Sequence, residues 1–230
     1  MKTAAIVLAG GKGSRMKSDI PKQYRDLCGK PVLYYSLCAF EESTADGVIL
    51  VVGEGEEAYC REEIVKRYGF RKVLDYVTGG KERFDSVWNG LCALKERQPE
   101  TVLIHDGARP FVTSELIQRL ISQTECFGAC VAGMPVKDTI QITDENGVIV
   151  QTPNRSRLWT AQTPQAFSFS VVYPAYEAFV ASGERDATDD AMVVGRYAHI
   201  PVRMVVGSYE NIKITTPEDL DVAKILLSKR

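Results

Sequence analysis

Histidine is scarce in this chain of 230 residues, and cysteine is never clustered. His105 and His199 are the only histidines, and none of the six cysteines forms a CxxC pair. A zinc centre needs ligands at closer spacing, so no metal held by the protein's own side chains is expected. Scattered cysteines in regular segments point instead to a reduced, cytoplasmic protein. Surplus charge of one sign is also missing: the formal net charge is −2, which provides no global attraction to nucleic acid or to an acidic membrane. No apolar run approaches the ~18 residues of a membrane span. Lys2 followed by TAAIVLA imitates a short signal sequence, but basic residues stand where a cleavage region should lie, so export by this route is not expected. Nor is there a Ser-His or Cys-His constellation, an internal repeat or a low-complexity linker.

What the chain does have is an alternation of short apolar runs and amphipathic stretches. Residues 4–9, 47–53, 72–77, 101–105 and 129–136 read as strands, the apolar ones as strands buried on both faces. Helical stretches follow Pro31, span residues 56–68 and 83–97, and start near Ser114. In residues 83–97, Phe84, Val87, Trp88, Leu91 and Leu94 form one stripe. This order predicts an α/β protein, a mainly parallel sheet covered by helices on both faces, in a single domain spanning residues 1–230. Thr215-Thr216-Pro217-Glu218-Asp219 reads as the start of a last helix packed back on the domain. One segment breaks the rhythm: DTIQITDENGVIVQTPN (138–154) reads as a protruding β-hairpin arm. Alternation would place Ile140 and Ile142 on one face with Val148 and Val150. Such a face needs cover, from its own domain or from a second subunit.

The opening strand runs into Gly10, Gly11, Lys12, Gly13 and Arg15, with Lys22 farther on. The spacing fails the P-loop pattern, and the dinucleotide pattern fails at Met16. A glycine-rich loop with several cations suits a triphosphate; the alternative is a tight strand-to-helix turn with solvated lysines.

Motifs along nearly the full length extend this reading. LAGGKGSRM and PKQY resemble the nucleotidyltransferases that transfer NMP from an NTP to a phosphorylated sugar or polyol. HDGARPF (105–111), PVKDT (135–139), LWTAQTPQAF (158–167), TDDA (188–191) and NIKITTPEDL (211–220) make the chain resemble the 2-C-methyl-D-erythritol 4-phosphate cytidylyltransferase family.

The resemblance implies a Rossmann-like nucleotidyltransferase fold and transfer of CMP from CTP to the polyol phosphate, with release of pyrophosphate. It implies Mg²⁺ held mainly by the triphosphate, and a homodimer made through an arm at residues 137–157. It makes Arg15, Lys22, Arg155 and Lys213 the catalytic cations. Ala9, Gly10, Gly11, Lys12, Gly13, Gly80, Arg83, Ser86 and Asp106 would hold the nucleotide. Asp106, Arg109, Thr139, Arg155, Thr163 and Lys213 would hold the substrate. For Arg83 the alternative is an exposed arginine on a strand-to-helix turn, and for Asp106 a local turn pair with Arg109. His105 reads as a packed strand-end residue. Lys81 stands where the family often has an acidic residue. Rival readings are a ribitol-5-phosphate cytidylyltransferase, a non-catalytic nucleotide-binding module and, more remotely, a Rossmann oxidoreductase.

Overall fold

Alternate residues of the first strand, β1 (Thr3–Leu8), enter two different cores. Ala5 and Val7 face one side of the sheet, Ala4 and Ile6 the other, and all four are fully buried. This is the expected consequence of an apolar run with a side-chain period of two, covered on both faces. The structure, a computed structural model, describes residues 1–11 and 20–229. Lys12, Gly13 and Arg15, expected at the nucleotide, lie outside the described residues.

The other strands that build the main sheet are β2 (Gly47–Val52), β3 (Val73–Thr78), β4 (Thr101–Asp106), β5 (Ala129–Pro135), β8 (Trp159–Ser168) and β9 (Arg203–Val206). Strands β6 (Ile142–Thr143) and β7 (Ile149–Gln151) pair only with each other, in the arm. The seven-stranded sheet has the order β9-β5-β8-β4-β1-β2-β3. Only β8 runs against its neighbours β4 and β5; the remaining pairings are parallel. The expected α/β architecture is therefore present, with one reversed strand that the apolar pattern did not reveal.

Helices α1 (Val32–Glu42) and α4 (Ser114–Phe127) cover one face, where Leu37, Phe40, Leu116 and Leu120 meet Val7, Leu50 and Leu103. A short α-helical turn, Glu57–Tyr59, continues as the π-helix Cys60–Lys66, here α2, and adds Cys60 and Ile64 to that core. On the opposite face lie α3 (Arg83–Ala93), α5 (Phe169–Ser182) and α6 (Asp190–Tyr197). Val87, Leu91, Val172 and Phe179 pack there against Ile6, Ile49 and Ile104. Helix α3 lies unusually close to β1 because Gly90 faces Ile6; a Cβ at Gly90 would sit 2.7 Å from Ile6 Cγ2. The last helix, α7 (Pro217–Leu227), starts with a reciprocal cap between Thr216 and Asp219, and buries Leu220 and Ala223 against Leu27, Val32 and Phe111.

The arm forms the expected hairpin, with a very short ladder. Ile142 pairs with Gln151 and Thr143 with Ile149, with an irregularity between them. Neighbouring residues point to opposite faces, so Ile149 lies on the face of Thr143, and Ile142 lies on the other. Ile140, Ile142, Val148, Ile149 and Val150 are all exposed. Among the described residues no helix is long and apolar enough to cross a membrane.

Candidate active site

Leaving β3, the chain passes to the other side of β1 when it enters β4. The crevice beyond the ends of β1 and β4 is thus the topological switch point, where open α/β sheets bind ligands. A cleft of ≈ 760 Å³ opens there, lined among others by Gly10, Gly11, Lys22, Arg83, Asp106 and Lys213. Gly10 is required by close approach: a Cβ would lie 2.9 Å from the backbone oxygen of Val52.

Asp106 ends β4 and is buried. Arg83 Nε donates to its Oδ1 (3.1 Å), and Lys213 Nζ donates to its Oδ2 (2.7 Å). Arg109 Nε lies 4.0 Å from the same Oδ2. Burial alone would raise the Asp106 pKa, but Arg83 and Lys213 outweigh it and hold the carboxyl well below the usual range. Asp106 is therefore a fixed carboxylate rather than a proton donor.

Arg83 is not the exposed turn arginine of the alternative reading. Its Nη1 and Nη2 make a bidentate pair with Asp190, at 2.9 and 2.8 Å. Burial would lower its pKa, yet Asp190 and Asp106 raise it well above the ordinary arginine value. Ser86 accepts a hydrogen bond from the Gly80 N–H (3.0 Å), so the loop after β3 is held against the first turn of α3.

Lys213 owes its position to a latch. Asn211 is fully buried, and its Nδ2 donates to the Thr163 carbonyl (2.9 Å) and to Gln162 Oε1 (3.3 Å). Arg109 Nη1 donates to the Asn211 carbonyl (2.7 Å), and the Ile214 N–H donates to the Ala108 carbonyl (2.8 Å). Lys213 is thus pinned on both sides, leaving its ammonium at Asp106. Arg109 is turned inward, more a strut of this latch than a wall of the cleft.

Thr163 links the strand-end residues. Its hydroxyl accepts from the Asp106 N–H (3.0 Å) and lies 3.1 Å from His105 Nδ1. His105 is fully buried, with Nε2 3.3 Å from the Arg109 carbonyl, and burial pushes its pKa down to about 3. It is a packed, neutral histidine, as its place in the sequence indicated.

Across the cleft, Lys22 opens a short 3₁₀ turn, Lys22–Tyr24. Gln23 is buried and donates to the Ala9 carbonyl, and the Tyr24 hydroxyl donates to Glu56 Oε2 (2.7 Å). The two residues after Lys22 therefore tie its turn to the end of β1 and to the start of α2.

Thr139 and Arg155 are not brought to this cleft. Both are exposed on the arm, and Arg155 Nη1 donates to the Lys137 carbonyl (2.8 Å). The geometry also shows partners that sequence reasoning missed: Asp190, Tyr176, Gln162, Asn211 and Gln23. TDDA and QTPQ were visible as motifs, but their roles depend on contacts between distant parts of the chain.

A sheet that gathers glycine backbone and positive side chains at its switch point is built for a polyanion, and transfer of a nucleotidyl group is the chemistry this class of fold supports. Comparison with known proteins makes the class specific. The family described as 2-C-methyl-D-erythritol 4-phosphate cytidylyltransferase matches residues 3–229. A relative of that name from Lachnoclostridium phytofermentans is 49% identical over 226 residues, which cover 98% of this chain and 96% of the relative. Another from Lachnospira eligens is 49% identical over 225 residues, 97% of this chain and 98% of the relative. The crystal structure of 4-diphosphocytidyl-2C-methyl-D-erythritol synthase from Anaerococcus prevotii superposes with a TM-score of 0.86 at 34% identity, covering 99% of this chain and 96% of that one. The chain belongs to the 2-C-methyl-D-erythritol 4-phosphate cytidylyltransferase family.

Proposed function

We propose that this chain transfers CMP from CTP to 2-C-methyl-D-erythritol 4-phosphate, giving 4-diphosphocytidyl-2-C-methyl-D-erythritol and pyrophosphate. The observation that carries the reading is the strand-end carboxylate Asp106 locked between Arg83 and Lys213, with Lys22 on the same cleft. A phosphate monoester has a second pKa near ~6 and is largely dianionic at neutral pH, so it attacks the α-phosphorus without a general base. A bond forms between that phosphate oxygen and the α-phosphorus as the bond to the β-phosphate bridging oxygen breaks. Two anions must meet, and charge develops on the α-phosphoryl group, so cations supply most of the catalysis.

In this reading Arg15 and Lys22 oppose the developing charge, and Lys12 with the backbone of Gly10, Gly11 and Gly13 holds the remaining phosphates. Ala9, Gly80, Arg83 and Ser86 frame the nucleotide. Lys213 meets the substrate phosphate; Arg109 and Thr163 support it from behind. Each Asp106 oxygen already accepts a hydrogen bond from a cation, which suits Asp106 to a Mg²⁺ ion carried by the triphosphate through water rather than as a firm ligand. The ion would neutralise phosphate charge during attack.

Residues 1–230 act as one domain, and the arm at 137–157 reaches a second subunit. Its exposed Ile142, Val148, Ile149 and Val150 support that role, as does the fact that Arg155 does not line its own cleft. Arg155 and Thr139 would then complete the partner's substrate site. The free cysteines accord with a cytoplasmic enzyme.

Pyrophosphate release tests the assignment directly. With 2-C-methyl-D-erythritol 4-phosphate, CTP should far outperform UTP, ATP and GTP; comparable turnover with ATP would remove the cytidylyl assignment. Preference for ribitol 5-phosphate in competition would move the chain to the rival substrate.

A further inference from the structure

Asp190 is fully buried at the first position of α6, and no role described so far depends on it except its pairing with Arg83. Its carboxylate takes both ends of the guanidinium fork, Nη1 on Oδ1 (2.9 Å) and Nη2 on Oδ2 (2.8 Å). The Tyr176 hydroxyl, fully buried on α5, donates to the same Oδ1. Asp189 caps α6 by accepting from the Met192 N–H (2.9 Å) and is held by Gln165 Nε2 (3.2 Å). Gln165 Oε1 also accepts from the Ala191 N–H (2.9 Å), so the backbone on both sides of Asp190 is fixed. A second contact ties this loop to α3: Arg185 Nη2 donates to Asp85 Oδ2 (2.6 Å).

The consequence concerns what Arg83 can offer Asp106. An arginine beside a carboxylate prefers to present its fork, two parallel N–H groups on two oxygens. Here the fork is spent on Asp190, and Asp106 receives only Nε, on Oδ1. Oδ2 is left to Lys213 at 2.7 Å. Without Asp190, the fork would be free to turn to Asp106, occupy both oxygens and displace the ammonium.

We propose that Asp190 is a positioning residue of this active site: by holding the guanidinium fork of Arg83, it reserves Asp106 Oδ2 for Lys213 and so fixes the ammonium that meets the substrate phosphate. The proposal rests on the reading of Lys213 as a ligand of that phosphate. Tyr176 is the outer support of the same chain of contacts.

Steady-state kinetics of folded Asp190→Asn enzyme test it. The asparagine keeps the shape but replaces one acceptor with a donor facing Arg83. KM for the polyol phosphate should rise about ten- to a hundredfold, and more than KM for CTP, because positioning errors at a reacting group carry costs of this order. Lys213→Ala alone should also raise the KM for the polyol phosphate. In that background Asp190→Asn should add little, since both changes act through one ammonium. Tyr176→Phe preserves the ring and should raise the same KM about threefold, less than the roughly tenfold or more that a lost hydrogen bond to a charged group is worth, because Tyr176 reaches the ammonium only through Asp190 and Arg83; it serves if Asp190→Asn does not fold. If Lys213→Ala leaves that KM unchanged, the phosphate reading fails and the proposal with it. If Lys213→Ala raises it while Asp190→Asn and Tyr176→Phe do not, the proposal alone is overturned. Full additivity of Asp190→Asn with Lys213→Ala would overturn it as well.

Discussion

Lowering the pH from 7 to 5 should weaken this fold through His105. The ring is fully buried, edge-on to Phe40 with ring centroids 5.4 Å apart. Thr163 Oγ1 lies 3.1 Å from Nδ1, and the Arg109 carbonyl 3.3 Å from Nε2. The hydroxyl can donate to Nδ1 while Nε2–H donates to the carbonyl, which uses the neutral ring completely. Burial pushes the pKa from the ordinary 6.5 down to about 3; Asp106 opposes this in part, and Arg109 adds to it.

The unfolded chain takes up a proton on His105 near 6.5, but the folded chain does not until about 3. The stability from keeping this ring neutral is therefore present above 6.5 and is lost progressively as the pH falls toward 3. Linkage puts the loss at about 2 kcal/mol by pH 5 and roughly 4–5 kcal/mol near pH 3. Asp106 does not confuse the upper window. Its carboxyl is depressed, so its contribution is intact above the ordinary carboxylate range and falls away only below it.

Urea unfolding followed by circular dichroism at pH 7 and 5 would measure the effect in ligand-free protein. His105→Gln is the comparison: glutamine can accept and donate, but does not titrate. The variant is expected to start less stable yet to lose about 2 kcal/mol less than the wild type between the two pH values. Parallel losses in the two proteins would refute the argument, because the other histidine, His199, is common to both.

Lys22→Ala should lower kcat about a hundred- to a thousandfold with a smaller effect on KM, as for loss of a group that opposes charge in the transition state; near-normal turnover would end that assignment. Mixing inactive Lys22→Ala and Arg155→Ala enzymes under subunit exchange should restore about a quarter of the sites by two-fold symmetry. If mixed dimers form and stay dead, Arg155 acts in its own chain. Gly10→Ala should destabilise by about 1–3 kcal/mol, since the new methyl meets backbone rather than a movable side chain; an unchanged Tm would contradict that packing.

Much of the sheet was legible because β1, β2 and the body of β4 are continuous apolar runs and the helices between them carry clear stripes; the short β9, which opens on Arg203, was not expected. Strand β8 was not, for a physical reason. Gln162, Thr163 and Gln165 are buried, yet they are polar, and Pro164 interrupts the run. Their side chains are spent on Ser208, His105 and Asp189, contacts that no local periodicity can register. At the site, a glycine loop after one strand and an aspartate ending another were readable from position alone. The Arg83–Asp190 pair was not: its members are 107 residues apart. Burial of a charged pair is visible only once the chain has folded. In the arm, a period-two pattern cannot foresee the irregularity between Ile142 and Thr143 in so short a ladder.

The reversed direction of β8 has a consequence for how this protein can vary. Pro135 at the end of β5 pairs with Trp159 at the start of β8, so the arm is an enlarged turn between two adjacent antiparallel strands. Such a turn must emerge at the edge where the first strand stops, which here is the edge that holds the cleft. A parallel β8 would have begun at the opposite edge, ~33 Å away for a ten-residue strand. Residues gained or lost in the turn would leave every ladder of the seven-stranded sheet untouched while changing what is presented beside the cleft. The arm is thus a place where length and surface can drift independently of the fold that carries them.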